Sequence, residues 1–364
     1  MSKLPEQSPT RHFVALDGLR GIAAFIVLAL HALSPFDLGY LVPHAQLAVD
    51  FFFMLSGFVI GYAYEQRLLT SLSVEDFIKI RLIRLYPLLL LGTGFGFLIY
   101  CLKLVAEGRA QLYVKMVVAF VCSILMLPTN VIHDQGWGSI YPFNDPSWSL
   151  FFEILINILY ALIISNLSGR VLGAILVLSC LVVFVQAYHL GGVAGGNTWG
   201  TLVGGLGRVV FPFFCGIFLF RWHSRTAAWA FSLPVFILLG LLVATLICPS
   251  GRFNWVYEST AVVFVFPAIV ICGARAMPGS SLTVVFLFFG RLSYPLYILH
   301  YPLIRIFGYL ERVVAVTDGW MLPFIDVEIT CAILFAVVAT KVFDEPVRAS
   351  FTKRRRQRSL VPTR

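Results

Sequence analysis

The 364-residue chain is 59% hydrophobic and only 12% charged, with a mean hydropathy of +0.88. A soluble domain covers its surface with about 25% charged residues, so this composition excludes a water-soluble globular protein and predicts a chain mostly dissolved in lipid. The net charge of +9 does not argue for nucleic acid: five of the 27 basic residues lie between Lys353 and Arg358, and most others flank apolar runs, where basic residues set topology.

Residues 1–12 read as a polar cytoplasmic tail carrying Lys3 and Arg11. Asp17 and Arg20 interrupt the apolar run that follows, and no small-residue cleavage site closes it, so a cleavable signal is not expected. Apolar segments then lie near 13–34, 47–64, 82–105, 115–127, 147–165, 171–189, 201–220, 229–248, 257–274, 282–302 and 320–342. The segment 115–127 is too short to cross hydrocarbon, which takes about 20 residues as a helix, and it is ended by Pro128. The expected fold is therefore all-α and integral to the membrane, a bundle of about ten transmembrane helices with one short re-entrant or interfacial segment.

An even number of spans agrees with the basic termini, both read as cytoplasmic. With ten spans the inner loops carry Arg67, Lys79, Arg81, Arg170, Arg221, Arg225 and Arg275, whereas 34–46 and 128–146 have neither Lys nor Arg. The membrane domain is expected over 13–348, with a basic cytoplasmic tail over 349–364. The glycine-rich stretch from Gly191 to Gly207 reads as a loop leading into a tightly packed helix. Seven cysteines are scattered singly, without a CxxC pair, and suggest neither zinc nor a disulfide framework. No internal repeat is visible.

Ionisable residues within membrane helices are costly and are functional candidates by default. Here they are Arg20, His31, Asp50, Glu153, Arg208 and His300, with Asp17 and Arg84 nearer the cytoplasmic surface. Arg20 and His31 are eleven positions apart, which returns a helix to within about 20° and rises roughly 16 Å. Both side chains are thus expected on one face, Arg20 inward and His31 outward. Asp50, Glu153 and His300 fall at similar depth toward the outer side, and Ser149 and Tyr160 share the Glu153 face. Histidines and carboxylates at one depth suit general-base catalysis, with imidazole taking a hydroxyl proton and a carboxylate orienting the ring. A metal site is the weaker reading, since no HExxH spacing is present. Arg20, Arg81 and Arg84 form an inner basic group. Topology and snorkelling suffice for Arg81, whereas Arg20 interrupts an apolar run and suits a phosphate. Arg208 could bind a substrate or pair with Glu153.

Several motifs carry a family resemblance. They are LDGLRGIAAFIVLALH at 16–31, VDFFFMLSGFVI at 49–60, RLIRLYP at 81–87, PSWSLFFEILINILY at 146–160, GRLSYPLYILHYP at 290–302 and FDEPVR at 343–348. In this order the chain resembles the acyltransferase 3 family of membrane O-acyltransferases, from about Phe13 to Arg348. The resemblance implies a ten-helix domain of the bacterial cytoplasmic membrane. It implies transfer of an acyl group, acetyl foremost, from acyl-CoA as donor substrate, with no permanently bound cofactor. The implied acceptor is a hydroxyl of a surface polysaccharide, a lipid-linked glycan or a similar carbohydrate, with glycan-assembly proteins as candidate partners. Some members carry an additional C-terminal esterase-like domain, and none is expected here.

Together these readings place His31, Glu153 and Asp50 as the catalytic group, with His31 as base or transient acyl carrier. Arg20 and Arg84 are expected to hold the phosphates of acyl-CoA. His300, Ser149, Tyr160, Arg208 and Trp148 are expected around the substrate, and the aromatics of the 128–146 loop, Trp137, Tyr141 and Phe143, to help choose the acceptor. The alternative is a polytopic transporter or flippase for a glycolipid or organic anion, which polytopic shape and buried charge would also fit.

Overall fold

The computed structural model describes residues 13–132, 138–226 and 233–359, so Trp137 and the expected N-terminal tail lie outside the described residues. Regular structure among the described residues is helical apart from one isolated bridge between Ser139 and Thr198. The helices are α1 (Val14–Leu33), α2 (Ala48–Thr70), α3 (Val74–Ala106), α4 (Tyr113–Ile124), α5 (Ser147–Ile163), α6 (Gly169–Leu190) and α7 (Leu202–Arg225). After them come α8 (Val235–Ile247), α9 (Asn254–Thr260), α10 (Phe266–Gly273), α11 (Ser280–Val314), α12 (Asp318–Ala339) and α13 (Glu345–Ser359). A π turn, Ala261–Val265, joins α9 to α10 just before Pro267, and another, Thr340–Asp344, joins α12 to α13 just before Pro346. A proline lacks the N–H that an α-helical ladder needs, and a π turn is one way to absorb that loss.

Nine helices among the described residues are long and apolar enough to cross a membrane, counting α9 with α10 and α12 with α13 as single spans. Two apolar helices are shorter, α4 and α8. Of the expected span at 229–248, residues 229–232 lie outside the described residues, and the described part holds a helix of 13 residues beginning after Pro234 at its N-cap position. Its first residue packs with Ala15 and Phe286 at the start of α1, and at its other end the Leu246 carbonyl accepts the His44 N–H at 3.2 Å. Helix α4 turns back along α3: Leu112, Met116 and Ala119 pack on Tyr100 and Leu104, while Tyr86, far down α3, donates to the Ile124 carbonyl. The basic segment expected as a tail from 349 is helical as far as Ser359.

Two helix pairs frame the interior. Helices α1 and α11 run parallel, because Asp17 meets Gly290, Arg20 meets Ser293 and His31 meets His300 in rising order. Helices α2 and α7 also run parallel, from Asp50 with Arg208 to Glu65 with Arg221. Their approach is close enough that a Cβ on Gly57 would collide with the Phe213 carbonyl oxygen, the role small residues have between membrane helices.

Helix α11 runs unbroken through Pro295 and Pro302. Pro302 cannot donate to the Ile298 carbonyl. Asn144 replaces the missing donor, its Nδ2 lying 2.9 Å from that oxygen, so the helix continues past the proline to Val314.

Candidate functional site

A cavity enclosing about 770 Å³ of open space lies between α1, α2, α3, α5 and α11. Along α2 its wall extends from Val49 to Ile60, a rise of about 16 Å at 1.5 Å per residue. Phe52, Phe53, Leu55, Val59, Leu85 and Leu150 make most of the lining apolar. The polar groups are segregated: Arg20, Arg81 and Arg84 enter toward the inner end, while Ser149 and Tyr297 close the outer end.

Each arginine has a different status. Arg20 is fixed by Asp17 at 2.7 Å, by Ser293 Oγ at 2.9 Å and by the Gly290 carbonyl at 2.9 Å. Arg81 is buried and donates to Glu153 Oε1 at 2.5 Å, and Ser56 Oγ donates to the same oxygen at 3.0 Å. Arg84 lines the cavity without a hydrogen bond or ion pair among the described residues. Three guanidinium groups therefore meet two carboxylates, Asp17 at Arg20 and Glu153 at Arg81, and the positive charge left over at Arg84 in an apolar-walled space favours an anion such as a phosphate. The topological role expected for Arg81 is corrected here: a guanidinium that would otherwise be buried unpaired turns inward to the Glu153 carboxylate.

His31 stands one step beyond the outer end. Its ring centroid is 5.1 Å from that of His300 and 5.6 Å from that of Tyr301. Tyr297 connects this group to the cavity, since its hydroxyl is 2.8 Å from Ser149 Oγ and its ring 6.2 Å from His300. His300 Nδ1 lies 3.0 Å from the Leu296 carbonyl. A carbonyl only accepts, so Nδ1 carries the proton and Nε2 bears the lone pair. That Nε2 is buried without a hydrogen-bond partner among the described residues.

The two carboxylates do not join His31 as the depth argument expected. Asp50 is fully buried and chelated by Arg208, whose Nη2 and Nε lie 2.6 and 3.3 Å from its oxygens. Arg208 also donates to the carbonyls of Gln46 and Gly195, and its guanidinium lies 5.0 Å from the Trp148 ring centroid. The pairing of Arg208 with Glu153 is corrected accordingly: Arg208 takes the carboxylate at its own level, and Glu153 is held by Arg81. Tyr160 is corrected too. It sits seven residues past Glu153, about 10 Å further along α5, and its hydroxyl donates to Glu65, which also binds Arg221. Ser149 does reach the site, through Tyr297.

Ser56, Ser293 and Tyr297 were not singled out by sequence reasoning. Ser293 and Tyr297 belong to the GRLSYPLYILHYP motif, seven and three residues before His300, spacings that put them on its side of the helix. That periodicity was the available signal. Ser56 offered none, since a serine in an apolar helix commonly bonds its own backbone.

The acyltransferase 3 family model, described as an acyltransferase domain, matches residues 13–342. A Rhizobium radiobacter protein described as "Protein 2 in picA locus" is 32% identical over 196 residues, covering 50% of this chain and 97% of that protein. No solved structure matches.

Proposed function

Because the chain belongs to the acyltransferase 3 family, we propose that it moves an acyl group, acetyl foremost, from acyl-CoA to a hydroxyl of a carbohydrate-type acceptor. The observation that carries this reading is the cavity, cationic at its inner end and leading to a histidine pair at its outer end. Acyl-CoA enters from the cytoplasm with its phosphates against Arg84 and Arg20. Arg84 has the freest guanidinium, and Arg20 is oriented by Ser293. The pantetheine arm lies along the apolar wall of α2 and brings the thioester to the level of Ser149 and Tyr297.

His31 accepts the acceptor hydroxyl proton as the oxygen attacks the thioester carbonyl. A C–O bond forms, the C–S bond breaks, and the proton passes to the leaving thiolate. An acyl-imidazole route through the same nitrogen gives the same balance. His300 and Tyr301 hold the His31 ring, and Glu153, neutralised by Arg81, keeps the centre of the cavity polar. Desolvation of the site by its apolar walls strengthens each of these interactions.

The topology that fits this use has ten crossings and both termini in the cytoplasm of a bacterial inner membrane, with residues 13–348 as one domain. Helix α8, although short, runs from the level of Ala15 to that of His44, which supports counting it as a crossing. Helix α4 and the segment after it, beside α3, support a re-entrant reading.

The test is thiol release from radiolabelled acetyl-CoA by the full chain in nanodiscs, with a surface-glycan extract as acceptor. Label reaching glycan with wild type and not with His31→Ala is the expected result. Equal transfer by both removes His31 from the chemistry, and no transfer by wild type across donors and extracts removes the acyltransferase reading in favour of transport.

A further inference from the structure

Beyond the cavity, the segment leading into α5 gathers unpaired polar atoms. Asn144 Oδ1, Asp145 Oδ1 and Ser147 Oγ are all buried and make no hydrogen bond among the described residues. Leaving such an oxygen unsatisfied is destabilising, and three within four residues call for a polar occupant. Asp145 is only half committed, with the side chains of Ser139 and Asn197 bonding its carboxylate. Burial pushes its carboxyl up from the ordinary value, against those two hydrogen bonds and the charge of Arg305. The same carboxylate acts electrostatically on the Tyr297 and Tyr301 hydroxyls. Arg305 hydrogen-bonds the Tyr301 side chain, its guanidinium 5.9 Å from the ring centroid, and Tyr301 presents its edge to His31 at an interplanar angle of 86°.

We propose that Asp145, Tyr301 and Arg305 form the subsite that receives the acceptor, and that they select a neutral polyol such as a sugar ring. The subsite rests on the acyl-transfer reading above for its purpose, though not for its binding chemistry. A carboxylate oxygen, a phenol and a guanidinium alternate acceptor and donor, the pattern that neighbouring hydroxyls satisfy. An anionic group would meet Asp145, and an apolar one would leave the buried oxygens unpaired, the situation in which a polar site rejects most strongly. Tyr301 joins the subsite directly to His31, so a hydroxyl bound here lies beside the base.

The test measures binding of tritiated octyl β-glucoside to the full chain in nanodiscs, corrected for empty nanodiscs and competed with unlabelled glucoside or octanol. Glucoside should displace the label and octanol should not. Asp145→Asn and Tyr301→Phe should each weaken binding about tenfold or more, with thermal melting unchanged. Displacement by octanol as effective as by glucoside, or wild-type affinity in Asp145→Asn, overturns the subsite. Should Asp145→Asn fail to fold, Tyr301→Phe removes a single hydroxyl and decides alone. Glucoside binding that responds to these variants, alongside no transfer by wild type across donors and glycan extracts, leaves the subsite standing and removes the acyl-transfer reading.

Discussion

Two of the places where this bundle buries charge are organised differently. Toward the outer end, two ionisable pairs are matched: Arg208 chelates Asp50, and His44 Nδ1 lies 2.7 Å from Glu258 Oε1, which also accepts from Gln46. The partners there are almost completely buried and do not line the cavity. Toward the inner end, three arginines line an open space with one carboxylate, and Arg84 is left over. Both arrangements place costly groups in the membrane. Balance distinguishes them: a matched pair holds helices together, and an unmatched group awaits something from outside.

Breaking the matched outer pair should give the largest effect. Asp50→Ala leaves Arg208 buried alone and should cost about 3–5 kcal/mol, read as a large drop in melting temperature and in yield. The double variant Asp50→Leu with Arg208→Met should recover most of that stability. If it also recovers transfer, Asp50 is structural. A folded double variant without activity would return Asp50 to the chemistry and blur the contrast.

The unmatched cation should behave in the opposite way. Arg84→Ala should leave melting temperature unchanged or raised, while raising the KM for acetyl-CoA roughly 10- to 150-fold, the equivalent of a hydrogen bond to a charged group. His44→Gln tests the outer side again: stability should fall by about 1–3 kcal/mol as Glu258 loses a partner, with the KM for acetyl-CoA within about threefold of wild type. The smallest effect is expected of Ser293→Ala. It frees one donor of Arg20 and should raise the same KM by roughly 2- to 10-fold, with restoration in Ser293→Thr.

How much of this the sequence disclosed follows from what hydropathy measures. Apolar runs report position along each helix, so the helices and their order were legible, as was the level that His31 shares with His300. Rotation about each helix is a weaker signal, and which helices are neighbours is weaker still. Asp50 and Glu153 were therefore placed at credible depths and given the wrong company. Their actual partners, Arg208 and Arg81, lie 158 and 72 residues away in the chain. The start of α8 at Val235 follows from Pro234, a local cue. The extension of α11 beyond 302 was hidden because the residue that repairs its proline, Asn144, belongs to a distant loop.

That repair has a mechanical side. Asn144 is one residue before Asp145, and the carbonyl it caps is two residues before His300. Lifting the loop away would strip a helix carbonyl of its substitute donor and uncap a backbone already weakened by Pro302. The acceptor-facing loop and the histidine-bearing helix are thus latched as one lever. Anything that tugs on the loop should be felt at the imidazole pair, without any further machinery to carry the signal.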